Sequence, residues 1–471
     1  MTGASVDVEP GSFRDRTSRV FYADGAVLRG LDGRALVEWD ALAATRFFPR
    51  LLREGKVIGT ERLQAVGVRR PGDDTQWAGV LRHERISFVS FPYEWCFGML
   101  RDAALLQLEL LEAALDEGMI LKDATPFNVQ WAGARPVFID VASFERLRQG
   151  EPWAGYRQFC EMFLYPLLLQ AYRNVAFQPW LRGRIDGIEA MQCWNLMSVR
   201  DLFRPGVLAH VYLQAKAQSR FADTAQDVRG DLRVAGFHSA LIKANVRRLA
   251  RLVRRLRWRE AASTWSEYTT GTSYAERERE AKAAVIERTV ASRAWKLVWD
   301  LGCNTGVFSR MAAQRAELVV AMDGDHLVIE RLYQSLKHEG AQRILPLVSN
   351  VADPPPRLGW RGMERGSLAD RGRPELILCL ALIHHLAISA NIPVHEIVEW
   401  LRSLGGALVI EFVAKEDPMV RRLLQNKRDD YADYDRGHFE GCLKSLFDVS
   451  QVAELAGGAR VLYFATPRGN G

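Results

Sequence analysis

Residues 298–306 read VWDLGCNTG, an apolar run that ends in an acid and continues into a turn of small residues. The next residues carry apolar side chains at positions 307, 308, 311 and 312, which is the spacing of an amphipathic helix. The stretch therefore predicts a buried strand, a tight loop and a helix. Glycine lets the main chain bend sharply and lets a ligand approach closely. Asn304 is one of the few non-glycine residue types that tolerate positive φ, so it can stand where a third glycine might.

A second apolar run, LVVAM at 318–322, ends in Asp323. This acid follows the first loop by about 20 residues, the distance at which dinucleotide folds place a carboxylate on ribose hydroxyls. The loop itself reads D-x-G-x-x-x-G rather than G-x-G-x-x-G, which disfavours a dinucleotide. It also lacks the Lys-Ser/Thr pair of a phosphate-binding P-loop.

This pair of motifs resembles motifs I and II of the class I S-adenosylmethionine-dependent methyltransferases, over residues 260–471. The resemblance implies an α/β fold with a Rossmann-like, seven-stranded sheet, and S-adenosylmethionine as the cofactor. The residues that it assigns to the cofactor in these two motifs are Asp300, Gly302, Asn304, Gly306 and Asp323. The alternative is a Rossmann-like domain that binds another nucleoside or no ligand.

Three further residues are candidates for the cofactor through the same resemblance. In the class I fold the loop after the third strand contacts the adenine, which points to Asn350 or Asp353. Tyr274 lies in the segment that folds over the cofactor in similar enzymes, as does Lys282.

The acceptor side of the predicted site holds His384, His385 and Glu411, at the ends of the predicted fourth and fifth strands. Methyl transfer depends mostly on positioning. An alcohol acceptor gains from a base that is neutral near pH 7, and histidine supplies one. We expect one of the two histidines to face the cleft and the other to pack. Glu411 is expected to contact the acceptor or the amine of the cofactor.

The first half of the chain predicts a small β-rich lobe at 19–95 and a helical lobe at 96–242. Within it, LKDATPFNV at 121–129 is followed by an apolar strand that ends in Asp140. The D-x-x-x-x-N spacing and the later acid resemble the catalytic loop and metal-binding Asp of protein-kinase-like phosphotransferases. That resemblance implies an α+β, two-lobe module in which Asp123 accepts a hydroxyl proton. It further implies that Asn128 and Asp140 hold Mg and ATP.

The kinase-like pattern is incomplete. No G-x-G-x-x-G precedes it, and the only lysine before residue 100 is Lys56; Arg29 is another cation available for phosphates. Asp140 is followed by valine rather than glycine. Three interpretations stay open: a phosphotransferase, a kinase-like scaffold that binds the acceptor, or a coincidence in which Asp123 and Asn128 are turn and cap residues.

Residues 243–259 carry eight basic residues and no acid, with apolar residues at helical spacing. A linker helix of this kind has one packed face and one cationic face. The cations predict either an anionic partner, such as a membrane surface, or pairing with acids elsewhere in the chain, which we favour. Nothing in the sequence strongly indicates nucleic-acid binding, and it leaves the oligomeric state open.

The composition is that of an ordinary globular protein, with 471 residues, 48% hydrophobic and 25% charged. Six scattered cysteines without ligand spacing favour reduced thiols and a cytoplasmic protein without structural zinc. Residues 1–18 resemble neither a signal peptide nor a transit peptide and are expected to be disordered.

The motifs HHL at 384–386, EFVAKEDP at 411–418 and LKDATPFNV together resemble a bacterial family of two-module methyltransferases with nodulation-associated members. A weaker resemblance is to bifunctional kinase–methyltransferases that cap polysaccharides, in which the module order is reversed. The first hypothesis is therefore O-methylation of a small molecule or glycan, with the N-terminal module holding the acceptor. The others are a bifunctional enzyme that also uses ATP, and a non-catalytic binding or regulatory protein.

Overall fold

The computed structural model describes residues 7–64, 76–221, 239–258, 273–425, 427–428, 430–455 and 457–469. The chain divides into two compact units. The first comprises Met1–Trp131, Pro136–Glu260 and Arg357–Arg365, and the second comprises Ala132–Arg135, Ala261–Pro356 and Gly366–Gly471. None of the helices that the structure describes is long and apolar enough to cross a membrane.

The first unit begins with an antiparallel sheet in the order β1-β2-β3-β5-β4. Two further sheets of two strands each follow it in the chain, one formed by β6 and β9 and the other by β7 and β8. The strands are β1 (Asp7–Val8), β2 (Ser18–Ala23), β3 (Ala26–Leu31), β4 (Thr60–Leu63), β5 (Gly79–His83), β6 (Met119–Leu121), β7 (Val129–Ala132), β8 (Arg135–Phe138) and β9 (Phe144–Arg146).

The disorder expected through residue 18 is wrong from residue 7 onward. β1 pairs with β2, and a 3₁₀ helix covers Pro10–Arg14. The Glu9 carboxylate accepts hydrogen bonds from the Gly11 backbone N–H at 3.2 Å and the Tyr22 hydroxyl at 2.6 Å, which holds this polar segment on the sheet. Residues 1–6 lie outside the described residues.

Helices make up most of the rest of the first unit. They are α1 (Gly33–Ala43), α2 (Phe47–Arg53), α3 (Phe97–Asp116), α4 (Tyr156–Phe159), α5 (Tyr165–Arg173), α6 (Gln178–Gly183), α7 (Ala190–Asn195), α8 (Leu213–Phe221) and α9 (Ser239–Arg255). This order of a β-rich part and a helical part fits a mixed α/β chain. A kinase-like two-lobe architecture stays a prediction.

The basic segment forms α9, which packs against α3. Its apolar face is buried at Val246, Leu249 and Val253. Lys243 pairs with Asp116 of α3, and Arg247 pairs with Glu112 at 2.6 Å. Part of the cationic face is therefore matched by acids of the same unit, as the favoured interpretation expects.

The second unit is built on a seven-stranded sheet in the order β12-β11-β10-β13-β14-β16-β15. The first five strands in this order are parallel, and β16 runs antiparallel to both β14 and β15. The strands are β10 (Trp295–Leu301), β11 (Ala316–Asp323), β12 (Ile344–Val348), β13 (Leu376–Cys379), β14 (Ala407–Val413), β15 (Phe447–Glu454) and β16 (Arg460–Pro467). The predicted Rossmann-like, seven-stranded α/β fold is confirmed.

Helices accompany the sheet, and three of them connect successive parallel strands. The helices are α10 (Ser273–Ala291), α11 (Val307–Ala312), α12 (His326–Glu339), α13 (Val394–Leu404), α14 (Pro418–Leu424) and α15 (Arg436–Leu446). The strand order reverses between β10 and β13, and ligands of open α/β sheets bind at such a point, beyond the carboxyl ends of the strands.

Candidate cofactor and acceptor site

The loop after β10 has left-handed backbone at three of five positions. The φ angles are 72° at Gly302, 48° at Asn304 and 75° at Gly306. A Cβ on Gly306 would lie 2.6 Å from the Leu332 side chain, so glycine is required there for steric as well as conformational reasons. The N–H groups of Gly302 and Cys303 both donate to the Met322 carbonyl, at 2.8 and 2.9 Å. The loop is therefore held against the carboxyl end of β11.

Asp323 ends β11 directly beside this loop. One of its carboxylate oxygens accepts the Asn304 N–H at 3.1 Å, and the other accepts the Asp325 N–H at 2.9 Å. The side chain is only half-buried, and burial raises its pKa. Because each carboxylate oxygen can accept a second hydrogen bond, both remain able to receive a hydroxyl donor. This geometry suits a ribose diol.

Asp300 lies behind the loop rather than in front of it. It is 2% exposed, and the Ser309 hydroxyl of α11 donates to its carboxylate at 2.5 Å. Burial raises its pKa to about 7. In this structure the buried Asp300 supports α11 through Ser309, and its expected contact with the cofactor stays a prediction.

The loop after β12 lies next to Asp323. The Ser349 N–H donates to the Asp323 carbonyl at 2.8 Å, which places Asn350 at the same strand end. Both Asn350 and Asp353 are exposed, and Asn350 is partly engaged because its side-chain oxygen accepts the Ala352 N–H at 3.1 Å. The assignment of these two residues to adenine stays a prediction. Tyr274 belongs to α10, but its side chain lies outside the described residues.

The segment after β13 brings the two histidines to the same edge of the sheet. A Cβ on Gly302 would lie 3.4 Å from Leu382, so this segment lies against the loop after β10. The His384 and His385 ring centroids are 4.1 Å apart. His384 is 2% exposed, whereas His385 is half-buried. Burial lowers the pKa of His385 to about 4 and that of His384 well below its usual value, so both rings are neutral at pH 7.

Glu411 has a different environment from the one expected. It is completely buried, and its carboxylate lies 2.7 Å from the Lys282 ammonium and 3.4 Å from the Arg460 guanidinium. Arg460 also binds Asp417 at 2.8 Å. Glu411 therefore belongs to a buried ion-pair cluster that joins α10, β14 and β16, and its expected contact with acceptor or cofactor stays a prediction.

Sequence analysis did not identify Ser309 or Arg460 as part of this region. Ser309 lies nine residues after Asp300, and a hydroxyl on the first helix after the loop is a weak signal. Arg460 is brought to Glu411 only by the antiparallel pairing of β14 with β16, which places Val413 opposite Arg460.

The kinase-like residues of the first unit do come together. The Asn128 amide donates to Asp140 at 3.4 Å, and the pKa of Asp123 is raised, chiefly by burial and also by the nearby Asp140 charge. However, the Arg29 guanidinium of β3 lies 2.9 Å from the other Asp140 oxygen and also donates to Ser18. Arg29 therefore occupies the place beside Asp140 that the resemblance assigns to a metal ion.

The predicted magnesium site is not supported by this arrangement. Asp140 is already neutralised by a permanent cation, and Asn128 is engaged with the same carboxylate. Across the part of the chain that the structure describes, no three His, Cys, Asp or Glu side chains cluster as metal ligands. In this arrangement Asn128 and Asp140 do not fit Mg-ATP.

No family model matches this chain. Nodulation protein NoeA of Rhizobium meliloti (strain 1021) is 33% identical over 460 residues, which are 96% of this chain and 94% of the relative.

Solved structures with likeness to parts of the chain include the N-methyltransferase NodS from Bradyrhizobium japonicum WM9, with 16% identity and a TM-score of 0.30, covering 41% of this chain and 97% of NodS. Another is the bifunctional kinase–methyltransferase WbdD, with 17% identity and a TM-score of 0.29, covering 40% of this chain and 39% of WbdD. On the full-length match, the chain belongs to the family of nodulation protein NoeA.

Proposed function

We propose that the second unit is an S-adenosylmethionine-dependent methyltransferase and that it methylates a hydroxyl oxygen of a small molecule or glycan. The observation that carries the proposal is the juxtaposition of a left-handed loop, the half-buried Asp323 and a neutral histidine at the switch point of a parallel sheet.

The cofactor-binding part of the proposal uses the loop after β10. Because Gly302 and Gly306 carry no side chain, the main chain can approach an adenosyl group closely. Asp323 would accept hydrogen bonds from the ribose hydroxyls, and Asn304 orients it through its backbone N–H. S-adenosylmethionine supplies a methyl group that is already activated by a positively charged sulfur.

The acceptor part assigns His385 as general base. Its ring is neutral at pH 7, so one ring nitrogen carries no proton and can accept the proton of an attacking hydroxyl. Burial lowers its pKa to about 4, which makes it a weaker base than a free imidazole. His384 is more deeply buried and packs against it, which fixes the orientation of the His385 ring. The first unit would contribute by holding the acceptor.

Calorimetric titration of the full chain with S-adenosylmethionine tests the cofactor assignment. Replacing Asp323 with Ala should weaken binding by about 1.5–3 kcal/mol, because charge-assisted hydrogen bonds to ribose are lost. Asp448→Ala is the matched control, since that acid is exposed and, among the described residues, pairs with Arg468 at the sheet edge. Unchanged affinity in the Asp323 variant would remove that residue from the site, and no binding by the wild type would remove the proposed function.

The oxygen specificity needs a separate measurement. Incubation with S-adenosylmethionine labelled in the methyl group, and with candidate alcohols, glycans and amines, should label the hydroxyl compounds. His385→Gln should reduce that labelling by about 10²–10⁴-fold while cofactor affinity is retained. Labelling of amines alone would contradict O-methylation but not methyl transfer.

A further inference from the structure

The first unit contains a second concave site, at the junction of α5 and the end of α9. A cavity of about 620 Å³ is lined by residues that include Gln170, Arg173, Arg204, Arg255, Arg257 and Trp258. A volume of this size is typical of pockets that hold small molecules. It involves neither the Asp123 segment nor any residue of the methyltransferase fold.

The lining has an excess of positive charge. Arg173 and Arg204 share one carboxylate, that of Asp201, at 3.6 and 2.9 Å. Among the described residues, Arg255 has no carboxylate within 4.0 Å, and Arg257 donates to the carbonyls of Arg254 and Leu256. Guanidinium groups bind phosphate through paired, charge-assisted hydrogen bonds, so several around one cavity favour an oxyanion.

A buried amide lies behind the same wall. Gln170 is 1% exposed, and within the described part of the chain neither its side-chain nitrogen nor its side-chain oxygen has a hydrogen-bond partner. Both atoms are closed off from solvent and therefore from the cavity, so Gln170 supports the wall and does not contact a ligand. A buried polar group without a partner is costly, and natural proteins keep few of them.

An aromatic wall adds to this arrangement. The Trp258 indole N–H donates to the Asn174 side chain at 2.7 Å, which fixes the ring at the cavity, and Arg204 lies over the Tyr172 ring at 4.9 Å. Flat aromatic surfaces of this kind pack against bases and sugars while their polar tips are hydrogen-bonded.

We propose that this cavity binds the phosphate or pyrophosphate group of a small molecule, with Arg255 and Arg257 as the principal anion ligands. The phosphate could be carried by a soluble compound or by a lipid headgroup; Phe203, next to Arg204, is 92% exposed and could enter a membrane surface. The proposal does not depend on methyl transfer by the second unit.

Titration calorimetry of the full chain with sodium pyrophosphate, and separately with ADP, tests the proposal. We expect saturable binding, weakened about tenfold by Arg257→Ala and by Arg255→Ala, because each loses a charge-assisted contact. Arg53→Ala is the matched control: it removes the same charge from an exposed residue of α2 that does not line the cavity. Equal weakening in the control would show general charge attraction and overturn the site.

Gln170→Leu is a second control. Removing an unpaired buried amide should raise the thermal midpoint of the free protein, and pyrophosphate binding should stay unchanged because the amide is closed off from the cavity. Loss of pyrophosphate binding in this variant would contradict the assignment of the arginines as the anion ligands.

Flotation with phosphatidylcholine vesicles, with and without phosphatidylglycerol, identifies the source of the phosphate. Binding only to the anionic vesicles, sensitive to Arg257→Ala, would assign the site to a lipid headgroup. Failure to bind pyrophosphate, ADP and anionic vesicles would overturn the proposal.

Discussion

At the scale of single residues, the two acids of the methyltransferase motifs have different roles although they end neighbouring parallel strands. Asp300 is 2% exposed and takes a short hydrogen bond from Ser309, whereas Asp323 is half-buried and takes two from backbone N–H groups. Burial penalises the charged form of both, and backbone donors partly offset it at Asp323. Asp300 is therefore suited to supporting α11, and Asp323 is suited to binding a ligand.

This difference predicts an unusual pH dependence of stability. The pKa of Asp300 is about 7 in the folded chain, against 3.8 for an ordinary aspartate, so the folded state binds the proton more tightly. Its contribution therefore favours folding at acidic pH and is lost as pH rises through about 7. Between pH 5 and pH 8, wild type should lose stability relative to Asp300→Asn by about 1 kcal/mol or more.

Urea unfolding of both proteins across this pH range measures the effect. Asp448→Asn, at an exposed acid, should run parallel to the wild type. Parallel profiles for Asp300→Asn and wild type would show that Asp300 is ionised in the folded chain and would contradict the buried, protonated state.

Single residues also show what the sequence can and cannot predict at a site. The left-handed backbone at Asn304 follows from local chemistry and was predicted correctly. The burial of Asp300 and Glu411 depends on neighbours distant in the chain, such as Lys282 and Arg460, which no local pattern reveals. The burial of both acids therefore could not be predicted from the sequence.

At the scale of elements, the Lys282–Glu411 pair connects α10 to β14 in the interior of the second unit. The two charges are 2.7 Å apart, with Lys282 9% and Glu411 0% exposed. Removing Lys282 leaves the buried Glu411 carboxylate with the more distant Arg460 guanidinium, 3.4 Å away, as its charge partner. Lys282→Met should therefore lower the free energy of unfolding by about 3–5 kcal/mol.

The matched control is Lys444→Met, because Lys444 pairs with Glu440 at the same 2.7 Å but is more than half exposed. That change should cost less than about 1 kcal/mol. Denaturant unfolding of both variants, and of Lys282→Met combined with Glu411→Leu, measures the comparison. The double variant should recover part of the loss; equal costs for the two single variants would show that the buried pair contributes no more than a surface pair.

Elements differ in how well the sequence predicts them. The parallel strands of the second unit are continuous apolar runs, because both faces of such a sheet are covered, and each was identified. Residues 7–14 are polar, so they were expected to be disordered. Their order comes from pairing with β2 and from the hydrogen bond of the Glu9 side chain, which the composition does not reveal.

The two units differ in whether the neighbouring residues leave each motif open to the ligand that its resemblance implies. In the second unit the loop after β10, Asp323 and the two histidines lie together at the carboxyl edge of the sheet. In the first unit Asp123, Asn128 and Asp140 also converge, but Arg29 occupies the carboxylate that the resemblance assigns to a metal. The sequence showed the motif and the arginine separately, and only the fold brings them together.

The whole chain should therefore respond to S-adenosylmethionine and not to Mg-ATP. A ligand that binds only the folded state stabilises it by about 2.7 kcal/mol at 100 times its dissociation constant, so saturating S-adenosylmethionine should raise the thermal midpoint. Mg-ATP should leave it unchanged, because Mg²⁺ would have to displace the Arg29 guanidinium from Asp140, 2.9 Å away, and dehydrates reluctantly. Thermal unfolding with each ligand, with Mg²⁺ alone as the control, measures both expectations. A stabilisation by Mg-ATP that Asp140→Ala abolishes would instead show that the ion pair opens for the metal, and the first unit would then be a phosphotransferase.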